Sequence, residues 1–409
     1  MNVRSAQTYW LENQSVPNAA RTTPILQPHT SCDVLIMGGG ITGALVAYEL
    51  HRAGIDTVLI DKRTLGRGST AASTALIQYE IDVPLHQLIQ QVGEQDAVLA
   101  YKLCLWAIYK LRDIVGRLDT RCGFNQKHSL YYAAKADDID MLREEYEARA
   151  KYGFQVAWLD RQAIKAQFGF DAPGGILSQE AAELDAMDLT QALYRYLIDR
   201  GLRVFEETTA EEIDYGFKRA RIRTNHDTEI FARKIVYATG YETQQMMQRD
   251  QAAYADALKL KSTYALVTEP LANMPEALRR SLIWDTDEPY FYARTARDNR
   301  LMLGGEDEWV VDAAERDAMI PQKQEKLLKK INELFPDVEA KPHLTWAGTF
   351  AETQDGLPYI GEHERYPHSY FALGFGGNGI TFSITAANII RNLFQNGDCN
   401  YGGMFRFGR

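Results

Sequence analysis

The stretch Gly38-Gly39-Gly40-Ile41-Thr42-Gly43 carries glycines at GxGxxG spacing. Alone, that spacing is weak evidence. Here an apolar run, Val34–Met37, precedes it and a helical pattern from about Ile41 to Ala53 follows. A second apolar run, Thr57–Ile60, ends in Asp61, 18 residues past Gly43. In that setting each residue has a task in holding a dinucleotide. Gly38 permits the tight turn, Gly40 lets a diphosphate approach the backbone, and Gly43 lets helix and strand pack closely. The helix N-terminus, at Ile41 and Thr42, offers N–H groups and partial positive charge to the diphosphate. Asp61 can accept hydrogen bonds from ribose hydroxyls. The fingerprint by itself does not separate FAD from NAD.

Two further segments narrow the choice. Gly66–Thr74 is dense in small hydroxyl residues, among them Ser69, Thr70, Ser73 and Thr74. A flavin dinucleotide extends further than NAD and needs a second loop reaching back to it. Near the other end, Gly374-Phe-Gly-Gly-Asn-Gly379 runs into a helical pattern. A helix N-terminus there would stabilise the negative charge that reduced flavin carries at its N1–C2=O edge. Together the three elements favour FAD.

The elements that must position these residues are legible in part. The βαβ unit Val34–Ile60 is the clearest. Val98, Tyr101, Leu105, Ile108 and Leu111 recur at three and four residues, giving a helix from Glu94 to about Leu118. Helices are also expected over Asp137–Lys151, Thr190–Arg200, Gln322–Leu334 and Ile380–Gln395. Strands are expected at Ser129–Ala133, Gln155–Leu159, Ile235–Ala238, Thr263–Thr268, Tyr290–Arg294, Leu301–Leu303 and Tyr370–Leu373. Residues 1–30 read as an irregular arm with Pro17, Pro24 and Pro28, and with Tyr9-Trp10 as a docking point. No linker separates two blocks, which suggests domains that the chain crosses between more than once.

At 409 residues the chain suits about two domains. Its net charge of −10 argues against nonspecific nucleic-acid or anionic-lipid binding. Cys32, Cys104, Cys122 and Cys399 form no CxxC pair and no zinc pattern, so reduced structural thiols, no metal and a cytoplasmic location are expected. No stretch approaches the roughly 20 apolar residues of a membrane span.

Five segments in order resemble the D-amino-acid-oxidase-like (DAO) superfamily of FAD-dependent oxidoreductases, which includes glycine oxidase and gamma-glutamylputrescine oxidase. They are Asp33–Gly43, Arg67–Thr70, Trp346-Ala-Gly348, Asp355-Gly-Leu-Pro358 and Gly374–Gly379. The resemblance implies an α/β fold. Its parts would be a Rossmann-like FAD-binding domain of glutathione-reductase type and an interleaved α+β substrate domain containing a mixed β-sheet. The FAD-binding domain would comprise residues 31–120, 175–255 and 346–409, and the substrate domain 121–174 and 256–345. By position, Gly38, Gly40, Gly43, Asp61, Lys62, Ser69, Thr70, Thr74, Ala75 and Leu76 match FAD contacts. Ala210 matches a backbone contact to the adenosine part. Gly376, Gly377, Asn378, Gly379, Ile380 and Thr381 match the loop near the flavin ring. The implied reaction is hydride transfer from an amine-bearing carbon to flavin N5, followed by imine hydrolysis. Noncovalent FAD is implied, because no cysteine or histidine stands at the positions used for covalent linkage.

Departures from the family pattern bear on the substrate. Phe350 and Gly377 stand where glycine oxidase has arginines that bind the substrate carboxylate. A larger amine, or a substrate anchored elsewhere, is therefore expected. Tyr290 aligns with a substrate-facing tyrosine, and Arg294, on the same strand face, is a candidate replacement anchor. Gln78 and Glu80 follow the flavin loop, and Glu80 can hold a substrate ammonium. No lysine stands in Gly304–Glu308, near the family's oxygen-activating lysine, so oxygen and a quinone or other carrier both remain as acceptors. The alternatives are a FAD-dependent dehydrogenase of a hydroxyl-bearing substrate, a noncatalytic flavin-binding protein, and an NAD-dependent dehydrogenase.

Overall fold

Val34, Leu35 and Ile36 are fully buried, as a strand covered on both faces requires. In the computed structural model, which describes residues 2–12, 27–249, 258–399 and 401–409, they form the centre of strand His29–Met37. Thr57–Ile60 and Glu229–Tyr237 flank it in parallel. Ser369–Leu373 and Arg203–Phe205 extend the parallel array on either side. Tyr359–Glu362 and the hairpin Ala210–Asp214/Ala220–Thr224 add antiparallel strands, for eight among the described residues. Helices Ile41–Arg52, Ala186–Ile198 and Gly379–Asn396 pack on one another against this sheet. The glycine loop after Met37 therefore leaves the carboxyl edge of a parallel sheet, the usual place for a ligand in such folds.

A second sheet has nine strands among the described residues. Its path runs through Pro342–Thr353, Leu258–Thr268, Arg300–Glu308, Phe291–Ala296, Ser281–Asp285, Asn125–Tyr132, Gly174–Glu183 and Leu76–Gln78, with Val156–Asp160 paired to Gly174–Glu183. All pairings are antiparallel except Ser281–Asp285 with Asn125–Tyr132, so the sheet is mixed. Helix Ile320–Leu334 packs on one face.

Three strands of the second sheet lie in or across segments expected in the cofactor unit. Leu76–Gln78 and Gly174–Glu183 fall largely inside stretches expected in the cofactor unit, yet hydrogen-bond into the second sheet. Pro342–Thr353 runs across the boundary expected at residue 346 and pairs along its length with Leu258–Thr268. The boundary expected at 255–256, and Pro17 and Pro24 of the arm, lie outside the described residues. Of the arm, Val3 and Ser5 exchange backbone hydrogen bonds with Thr349 and Ala347, and Tyr9 and Trp10 are buried.

Helix boundaries shift where a cap governs them. Helix Ala186–Ile198 starts a turn before Thr190 because the Asp185 carboxylate accepts from the N–H groups of Met187 and Asp188, at 3.0 and 2.8 Å. Replacing Asp185 by Ala is expected to cost about 1 kcal/mol, seen as a lowered urea midpoint with the slope of the transition unchanged.

Candidate cofactor and substrate site

The glycine loop fits its spacing atom by atom. Gly38 has φ +113°, and a Cβ there would lie 2.4 Å from the Ala238 carbonyl oxygen. A Cβ on Gly43 would lie 1.9 Å from the Gly38 carbonyl oxygen, so helix and strand could not meet. Gly40 precedes the helix Ile41–Arg52, which has no side-chain N-cap of its own at that residue. Thr70 serves instead, its Oγ1 accepting from the Ile41 N–H at 3.0 Å. Asp61 closes the unit, with its carboxylate accepting from the N–H groups of Gly39 and Arg63 at 2.5 and 2.7 Å. Burial raises its pKa despite those bonds. Lys62 and Arg63 both pair with Glu242, at 2.9 and 2.6 Å.

The hydroxyl-rich loop is held from behind by donors far away in sequence. Trp10 Nε1 donates to the Ser73 carbonyl at 2.6 Å, and Trp346 Nε1 to the Ala72 carbonyl at 2.9 Å. Arg294 Nε donates to the Thr74 carbonyl at 2.6 Å, and its other nitrogens to the carbonyls of Thr295 and Leu184. Arg294 thus corrects its expected role. It is buried under the loop, does not line the cavity, and spends its donors on backbone carbonyls instead of a substrate carboxylate.

The second glycine loop is tied to the chain leaving strand Leu76–Gln78. Asn378 Nδ2 donates to the carbonyls of Glu80 and Gln78, at 2.8 and 3.3 Å. The Gly377 N–H donates to Asp82 Oδ2 at 2.7 Å. Helix Gly379–Asn396 then begins with no side-chain cap, leaving its first N–H groups without a side-chain acceptor.

One cavity of about 1100 Å³ joins these parts. That exceeds the usual range for a site holding one drug-sized ligand. Gly38, Gly40, Ile41, Thr42, Asp61 and Lys62 line one end, together with Ala210. Ser69, Thr70, Thr74, Ala75 and Leu76 line it along the hydroxyl-rich loop, and Gly376, Gly377, Asn378, Gly379 and Ile380 along the second glycine loop. Gly43 and Thr381 are not lining residues. Gly43 makes the close strand–helix contact, and Thr381 is buried with its Oγ1 on the Asn378 carbonyl.

The remaining wall comes from the second sheet and its exits. Tyr290 and Tyr292 are stacked at 6.0 Å, and Tyr131 lies flat on Trp284 at 3.7 Å. Gln78 Nε2 donates to Ser129 Oγ. Glu80 Oε1 accepts from Ser178 Oγ at 2.7 Å and faces Arg149 at 3.3 Å. Burial pushes the Tyr290 phenol well above its ordinary pKa. Among the lining residues that escaped the sequence reading are three charged ones, Asp82, Lys261 and Glu352. Lys261 and Glu352 pair at 2.6 Å. Asp82 lies two residues past Glu80, which was its only available sequence signal.

The cradle, the loops and the cavity fit a flavin dinucleotide, and comparison with known proteins decides the family. The family model for FAD-dependent oxidoreductases, DAO, matches residues 33–393. The chain belongs to the DAO family. It is 26% identical over 404 residues to a putative Rieske 2Fe-2S iron-sulfur protein of Bacillus subtilis, covering 98% of this chain and 75% of that one. It is 25% identical over 380 residues to gamma-glutamylputrescine oxidoreductase of Escherichia coli, covering 90% and 85%. The crystal structure of glycine oxidase from Geobacillus kaustophilus superposes with a TM-score of 0.74 at 22% identity, over 93% of this chain and 99% of that one. This DAO chain is therefore a FAD-dependent oxidoreductase. Its four cysteines are buried and unpaired. No helix among the described residues is long and apolar enough to cross a membrane.

Two outcomes are expected of this DAO site. Gly43→Ala abolishes FAD retention through the clash with Gly38, and Arg294→Met weakens FAD at least about tenfold by releasing the loop; titration of apoprotein by flavin fluorescence measures both. Asp307, whose carboxyl oxygens are buried, has its pKa pushed up to about 6, chiefly by burial and against the pull of Thr263. A carboxyl raised in the folded state costs stability as pH climbs from the ordinary carboxylate range through that value. Asp307→Asn should flatten the fall in apoprotein Tm over that window, as read by scanning fluorimetry.

Proposed function

We propose that the enzyme oxidises the C–N bond of an amine or amino-acid-like substrate and binds its FAD noncovalently. The observation that carries this reading is the single cavity running from the glycine cradle to an aromatic and carboxylate-lined wall. FAD, when bound, would supply the two-electron acceptor for a substrate C–H beside nitrogen, and hydrolysis of the resulting imine would release carbonyl product and ammonium or a shorter amine.

The residues of the chain hold and align. The backbone around Gly38–Thr42 and the start of helix Gly379–Asn396 are suited to the diphosphate and to the flavin's anionic edge. Tyr290 and Tyr292 flank the reacting end, with Gln78 and Glu80 across from the second glycine loop. No lining residue among the described residues is a cysteine or histidine, which supports noncovalent FAD. Such a reaction needs a neutral amine and good alignment more than a dedicated base. The unpaired cysteines suit a reducing compartment. One relative's naming as an iron-sulfur protein keeps a protein carrier beside oxygen as the electron acceptor. We read the parallel sheet as the cofactor unit and the mixed sheet as the substrate unit, with the chain crossing repeatedly between them.

Anaerobic mixing of the FAD-loaded protein with primary amines, secondary amines, amino acids and hydroxy acids tests this. Amines or amino acids should bleach the visible flavin absorbance and yield ammonia or a shorter amine. Bleaching by hydroxy acids alone would make the enzyme a dehydrogenase of hydroxyl-bearing substrates, and no bleaching by any amine or amino acid would remove the amine-oxidation reading.

A further inference from the structure

Charge in the substrate end of the cavity is mostly of one sign. Outside the Lys62–Arg63–Glu242 cluster, Lys261 is the one lining cation among the described residues, and Glu352 already neutralises it at 2.6 Å. Asp285 and Asp287, also lining, share Lys330 at 2.9 Å each. Glu80 is only 4% exposed. Its single cationic partner, Arg149, is also bound by Glu145 at 2.5 Å, and Glu80 Oε2 has no hydrogen-bond partner. Among the described residues Asp82 has no ion-pair partner, and its carboxylate is held by the Gly377 N–H. The cavity wall therefore carries carboxylate charge in excess of its cations.

The same wall carries aromatic faces. The Tyr290–Tyr292 and Tyr131–Trp284 stacks border this end, and Asp82 is near enough to Tyr290 to raise its pKa by charge. Carboxylates beside aromatic faces are the recognition chemistry of an ammonium group. Anchoring of a substrate carboxylate from the second glycine loop is blocked. A Cβ on Gly376 would lie 2.3 Å from Asp82 Oδ2, and one on Gly377 2.6 Å from Asp82 Oδ1. The space that a side chain from that loop would enter is filled by a carboxylate, so the site there has the sign opposite to an amino-acid carboxylate anchor.

We propose that the substrate is an amine bearing a second cationic group, a diamine or longer polyamine, whose distal ammonium is received by Asp82 and the tyrosine–tryptophan walls. The proposal rests on the amine-oxidation reading and names its substrate class.

The test compares anaerobic flavin bleaching of the FAD-loaded full-length enzyme by butylamine, butanediamine, mono-N-acetylbutanediamine and alanine. Butanediamine should exceed each of the singly charged amines by at least about tenfold in second-order rate, and alanine should be slowest. Asp82→Asn should narrow the diamine-to-monoamine ratio to within about threefold. Glu352→Gln, which frees Lys261, should narrow it independently, so the comparison survives if one variant fails to bind FAD. Equal rates for butylamine and butanediamine, or alanine fastest, would overturn this substrate class and leave amine oxidation standing. Absence of bleaching by every amine would overturn both.

Discussion

The structure depends on how closely one strand end and one helix start can approach. The Gly38 carbonyl sits where a β-carbon of Gly43 would be. Only with both side chains missing can helix Ile41–Arg52 leave the strand so tightly that its N-terminus stays at the sheet edge. Asp61 then reaches back to the Gly39 N–H, fixing the neighbouring strand to the same turn. Any other geometry would move the helix N-terminus away from the cavity and remove its positive end from the cofactor.

A second constraint joins the two sheets. The strand Leu76–Gln78 belongs by hydrogen bonding to the mixed sheet, but the chain leaving it is gripped by Asn378 and Gly377 from the loop that follows the parallel sheet. Those bonds set the width of the cavity where the two sheets meet. They also explain the glycines at 376 and 377, whose missing side chains make room for Asp82.

The parallel half was readable because buried parallel strands are unbroken apolar runs and glycine turns have strict spacing. Gly38, Gly40 and Asp61 followed from that spacing, and the other candidate cofactor positions from the resemblance to the family. The mixed half was harder. Gly174–Glu183 is a central strand, yet it is rich in glycine and alanine and lacks alternation, so neither propensity nor period marks it. Lys261 and Glu352 meet diagonally across a strand pair whose register places Lys261 opposite Phe350, a relation no local pattern encodes. Arg294 shares the strand face of Tyr292, but burial beneath the loop turned its guanidinium toward carbonyls, which period alone could not foresee.

The donors behind the hydroxyl-rich loop come from Trp10, Arg294 and Trp346. They set a schedule for biosynthesis. On the ribosome the glycine turn and the loop emerge early, but the loop lacks its supports until the chain past Trp346 has been made, and the second glycine loop emerges later still. The nascent protein must therefore be made past Trp346 before that loop has all its supports, and past Gly379 before the second glycine loop can close on a cofactor.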